Sequence, residues 1–187
     1  MSIGRKDTNT HVKWLNGKFH RVCYDSILIR KESSDTLCYE LRFQPKYGKK
    51  KSGQSPSLKI EKADSDLRKA DSDLRLEFQE EWRCSGTKSK KYRFRRLTLK
   101  LLSGPVSAEM LSVHWNCDHP NSEPYEPHWH FAVGREGFYL KYLHIPLNSS
   151  WGIDEPNSLS EYHDWLSGFF QFAVTELPRS LEKKRTA

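Results

Sequence analysis

Apolar and polar positions follow the two-residue period of strands over much of the chain. Val12-Lys13-Trp14-Leu15 and Lys18-Phe19-His20-Arg21-Val22 flank Asn16-Gly17. That dipeptide tolerates positive φ at both central positions of a type I′ turn, so the spacing predicts a hairpin over residues 12–22. Ser26–Arg30 and Leu37–Phe43 are rich in β-branched and aromatic residues and are separated by Glu32-Ser33-Ser34-Asp35, which predicts a second hairpin. Leu74-Arg-Leu-Glu-Phe78 and Tyr92-Arg-Phe-Arg-Arg-Leu-Thr-Leu-Lys-Leu101 also alternate, and Ser85-Gly86-Thr87-Lys88 joins them as two further strands. Within segment 111–146, three apolar pieces around His114, His128–His130 and His144 read as strands as well.

One segment changes period. Ser158-Leu-Ser-Glu161 has the form of a capping box, and Tyr162, Trp165, Leu166, Phe169, Phe170, Ala173 and Leu177 follow at three- and four-residue spacings up to Pro178. An amphipathic C-terminal helix is predicted, with one wide apolar face to lay on a sheet. The expected fold is therefore α+β: a largely antiparallel sheet, open to curling, covered by that helix. Two segments stand outside this scheme. QPKYGKKKSGQSPS at 44–57 has the Pro, Gly and Lys content of an exposed loop, and KADSDLR occurs twice in succession at 62–68 and 69–75. The seven-residue period suits a short amphipathic helix or a tolerated insertion; the Asp-Ser-Asp pairs lack the Gly and terminal Glu of a calcium loop.

With 187 residues, the chain is expected to form a single domain. Charge divides it: residues 1–103 hold 25 Lys/Arg against 13 Asp/Glu, whereas 104–187 hold 6 against 11 and carry six of the eight histidines. The formal net charge is +7. No apolar run is long enough to span a bilayer and the first residues lack the apolar stretch of a signal peptide, so the expectation is a soluble cytoplasmic protein with no membrane partner. Cys23, Cys38, Cys84 and Cys117 form no CxxC pair, which favours reduced thiols. Walker, GxSxG and dinucleotide signatures are absent.

The histidines of 111–146 carry the candidate chemistry. His128 and His130 lie two apart, on one face of an extended strand. If the following turn is the three-residue loop Arg135-Glu136-Gly137, His144 joins that face, opposite His128; a two-residue loop would turn it away. Three such imidazoles suit a divalent transition metal, zinc or similar, with an open position for water. Without metal, the same pair types serve as general acid and base in phosphodiester cleavage. His128, His130 and His144 are thus the candidate catalytic and metal-binding residues, with His114 auxiliary. The ordinary alternative is structural strand histidines.

The dense positive run at Lys88, Lys90, Lys91, Arg93, Arg95 and Arg96, with Lys49, Lys50 and Lys51 in the loop, is the candidate nucleic-acid contact. Lys and Arg neutralise phosphates with little sequence readout, so RNA or DNA is the expected partner class; an acidic protein satisfies the same charges. The sequence points to an intracellular nucleic-acid-directed protein with a His-based or metal-dependent phosphodiesterase site. The alternative is a non-catalytic adaptor in a nucleoprotein assembly.

Overall fold

The computed structural model describes residues 1–43, 56, 74–86, 90–103, 108–116, 128–131, 143–146 and 156–172; for 85, 103, 108, 110, 116, 128–131 and 143–146 it describes the backbone only. Strand β1 (Ser2–Gly4) leads into helix α1 (Arg5–Val22). Strands β2 (Ser26–Glu32), β3 (Thr36–Phe43), β4 (Leu74–Ser85), β5 (Lys91–Ser103), β6 (Ala108–Asn116), β7 (His128–Phe131) and β8 (Leu143–Pro146) precede helix α2 (Leu159–Gln171). The sheet is antiparallel, with β2 to β8 as neighbours in chain order and β1 beside β5, continuing the line of β6. The fold is α+β, as expected from the pattern.

Residues 12–22 are the main correction. They form the body of an 18-residue helix rather than a hairpin at Asn16-Gly17. Its buried residues are Thr8, His11, Leu15, Phe19 and Val22, spaced by three or four, which is a helical stripe. Because that stripe begins with Thr and His, it reads as polar in the sequence and the Asn-Gly turn signal dominates. Packing decides the outcome: Phe19 meets Phe78 of β4 edge-on at 4.9 Å and Phe170 of α2 at 5.5 Å between ring centres. Burying each such ring contributes about 1.5–3 kcal/mol, more than the roughly 1 kcal/mol a helical glycine costs at Gly17. Asp7 accepts from the Gly4 amide in the first turn, while His20 and Arg21 stand in the last, matching the helix dipole. Asp25, at φ 44°, then turns the chain into β2.

The second hairpin forms as β2 and β3, and Ser85-Gly86 opens the connection from β4 to β5, with Gly86 at φ 86°. Helix α2 starts as predicted: Ser158 Oγ accepts from the Glu161 amide at 3.2 Å, and the Glu161 carboxylate caps the Asn157 amide at 2.8 Å. Tyr162, Leu166, Phe169 and Phe170 are buried. The stretch 173–178, the 44–57 loop apart from Pro56, and the KADSDLR repeat up to Asp73 lie outside the described residues.

Both helices cover one face of the sheet. That face is built from Leu37, Tyr39 and Leu41 on β3, Leu74, Leu76, Phe78, Glu80 and Trp82 on β4, and Val113 and Trp115 on β6, all buried. On β5 the inward positions change parity. Leu97, Leu99 and Leu101 face inward, then Arg95 is an extra residue between the pairs Glu81–Arg96 and Trp82–Phe94, after which Phe94 and Tyr92 face inward. This bulge lets two adjacent arginines share the outer side. At one end the sheet draws together: Glu32 of β2 accepts from Lys90 Nζ and from Tyr92 Oη of β5, each at 3.0 Å, although β2 and β5 are not neighbours. No described helix is long and apolar enough to cross a membrane.

Candidate functional site

The outer face, away from the helices, collects most of the residues expected from the sequence. Lys91, Arg93 and Arg96 of β5 and Arg83 of β4 are exposed, and the register sets Arg83 directly across from Arg93. Lys90 lies immediately before β5 and is tied to Glu32. Arg95 and Arg96 both bond the Glu81 carboxylate, which their guanidinium groups cover. Lys49, Lys50, Lys51 and Lys88 lie outside the described residues.

Across β5 the same face continues onto the histidine strands. Thr98 pairs with His114, His114 with His128, and Ser112 with His130. His130 then pairs with His144, while His128 pairs with Pro146. The pairing is thus displaced by two residues from the expected His128–His144 match. Since strand faces alternate with period two, an even displacement keeps the positions of His114, His128, His130 and His144 on one face. The face is more enclosed here than at β4 and β5: His114 is half-buried, and Ser112 is fully buried with its hydroxyl donated to Glu109 at 2.7 Å. Glu109 is held below the usual carboxylate range because its bonds from Ser112 and Lys100 outweigh burial, which alone would raise it. Among the described residues no group of three or more His, Cys, Asp or Glu is placed to hold a metal ion; the side chains of His128, His130 and His144 lie outside them.

Cys23, Cys38 and Cys84 form no disulfide among the described residues, Cys23 being buried and the other two partly so; burial pushes the Cys38 thiol up, away from reactivity. Cys117 lies outside the described residues.

A second cluster lies on the helix-covered face and was not expected. Glu80, fully buried, receives three donors: His11 Nε2 at 2.7 Å, Tyr162 Oη at 2.9 Å and Trp82 Nε1. Those donors come from α1, α2 and β4, so one carboxylate joins three elements. The bond to Glu80 directs the Nε2–H of His11 inward and turns its Nδ1 to His163 Nε2, 2.8 Å away. His163 is half-buried and stacked on Trp14 of α1, with ring centres 4.0 Å apart and planes within 4°. Burial first, then the neighbouring His11, depresses His163 to about 4, so its ring is neutral near pH 7. Burial, reinforced by Glu80, raises the Tyr162 phenol. Tyr39 stands edge-on to His11 at 5.5 Å, and its buried hydroxyl has no hydrogen-bond partner among the described residues.

Residues 11, 80 and 163 are too far apart in the chain for spacing to link them. One signal was present in the sequence. Glu80 occupies an inward position in the alternation Leu74, Leu76, Phe78, Glu80, Trp82, where a carboxylate requires buried donors.

No protein-family model matches the chain, and no curated protein or solved structure matches it significantly.

Proposed function

We propose that this protein acts on nucleic acid through the outer face of its sheet, with the basic residues of β4 and β5 engaging phosphates and the histidine positions of β6 to β8 performing phosphodiester hydrolysis. The observation that carries this reading is the register, in which Arg83, Lys91, Arg93 and Arg96 share a face with His114 and with the backbone positions of residues 128, 130 and 144. Exposed cations border a more enclosed histidine region, the order needed for a strand bound by its backbone to present one phosphodiester to general acid and base groups. One imidazole takes a proton from water, the water oxygen bonds to phosphorus, and the phosphorus–oxygen bond to the leaving group breaks as a second imidazole protonates it. His128, His130 and His144 are also the positions that would hold a divalent transition ion such as zinc, whose contribution is to lower the pKa of bound water.

Anisotropy of labelled single-stranded RNA and DNA across a salt series tests the binding part. The expected result is an affinity that falls linearly on a log–log plot, with Arg93→Ala reducing the slope by about one. His128→Ala is expected to abolish cleavage of the same oligonucleotides while leaving affinity unchanged. Salt-independent or absent binding overturns the proposal. Binding without cleavage by the unaltered protein, prepared with and without zinc, leaves the non-catalytic adaptor.

A further inference from the structure

We propose that the His11–His163 contact is an acid-sensitive latch: it holds α2 against α1 and the sheet while the two rings share a hydrogen bond, and it releases α2 when both rings become fully protonated.

The geometry sets a proton limit. His11 Nδ1 and His163 Nε2 face each other at 2.8 Å. A hydrogen bond at that distance needs one nitrogen to carry hydrogen and the other to present a lone pair. With both rings neutral, His163 donates to His11, whose own hydrogen points at Glu80. With one added proton the bond persists, whichever ring holds it, and Glu80 balances the charge. A second added proton puts hydrogen on both facing nitrogens and two imidazolium charges beside one carboxylate, so the contact can no longer form.

The charged and titratable groups around His163 favour this outcome. From α1, His11 and Lys18 oppose a cation there; from β4, Glu80 favours one, as does Asp164 of α2 itself. Tyr162, the preceding residue of α2, donates to Glu80 and brings no charge of its own. Burial is the largest influence and it acts against the proton, holding His163 near 4 rather than 6.5. In a released α2 His163 takes up its proton from about 6.5 downward and in the docked helix only near 4, so docking weakens as pH falls from about 6.5 toward about 4 and changes no further below that.

The latch lies where release matters. His163 touches α1 through both His11 and Trp14, and Tyr162 beside it supplies the bond from α2 to Glu80. Loss of these ties would uncover Tyr162, Leu166, Phe169 and Phe170, the buried side of α2.

Hydrogen exchange of the full chain between pH 7 and pH 4, corrected for intrinsic exchange, tests the latch. Protection of α2 amides is expected to fall by up to about tenfold per pH unit below pH 6.5, the limit for one proton, while β4 and β5 keep theirs. His163→Gln keeps an amide that can donate to His11 Nδ1 through its N–H₂, or accept from it through its oxygen, but does not titrate, and is expected to remove that pH dependence. His163→Phe, which keeps the stack on Trp14, is expected to do likewise. Simultaneous loss of protection in α2 and the sheet of the unaltered protein overturns the proposal without reference to any variant. An unchanged pH dependence in folded His163→Gln or His163→Phe also overturns it.

Discussion

Glu80 and Glu81 are consecutive residues of one strand, yet their surroundings have almost nothing in common. Glu80 points under the helices and is enclosed by a histidine, a tryptophan and a tyrosine, none of which carries a permanent charge. Glu81 points outward and is covered by Arg95 and Arg96, whose side chains remain 38 % and 48 % exposed. The inner carboxylate is held by groups that have left water themselves, whereas the outer one has drawn two cations down from solvent. Buried polar groups with a full set of partners specify how elements meet, and removing one partner strands the others. Partners still half in water return to it at little cost.

The largest effect should therefore come from Glu80. Glu80→Ala leaves His11, Trp82 and Tyr162 as buried donors with nothing to receive them, and a loss of about 3–5 kcal/mol is expected. Urea unfolding, with unchanged denaturant dependence, measures it. Glu80→Gln fills the space but turns an amide N–H₂ toward a second donor, so a loss of about 1–3 kcal/mol is expected. A change below about 0.5 kcal/mol in both variants would mean the three elements are not joined through this carboxylate.

Glu81→Ala sharpens the contrast from the other side. Its two arginines regain hydration, so the expected loss is about 1 kcal/mol or less. The same variant frees positive charge on the outer face, and nucleic-acid affinity at low salt should rise if that face binds phosphate. A stability loss equal to that of Glu80→Ala would erase the distinction between the faces, and unchanged affinity would count against phosphate binding near Arg95 and Arg96.

The two faces also differed in how far the sequence revealed them. The outer face was largely legible because its determinants are local. Alternation along β4 and β5 separates Arg93 from Tyr92 and Phe94, and the doubled polar pair Arg95-Arg96 interrupts that alternation at the bulge. The second hairpin and the Ser158 cap were legible for the same reason: each depends on residues within a few positions. Whether His144 shares a face with His130 depended on a turn whose length the sequence left open, and the observed pairing resolves only its parity. The inner cluster was invisible as a cluster, since His11, Glu80 and His163 meet only after α1 and α2 have docked. Its first member was also hidden by a local signal, Asn16-Gly17, that tertiary packing overrides.

That override gives the smallest expected effect and the one whose sign is most informative. Gly17 is exposed on α1, and a Cβ added there meets no atom within 4 Å. Gly17→Ala removes backbone freedom from the unfolded chain and improves helix propensity, so stability should rise by about 0.5–1 kcal/mol. In a type I′ turn the same substitution would force alanine to positive φ and lower stability instead. Thermal unfolding of the single variant separates the two cases by direction alone. A lower midpoint would dissolve α1 as described and, with it, the placement of His11 beneath the helix-covered face. A higher midpoint would leave that face with a covering helix that the local turn signal opposes and the stripe from Thr8 to Val22 supplies.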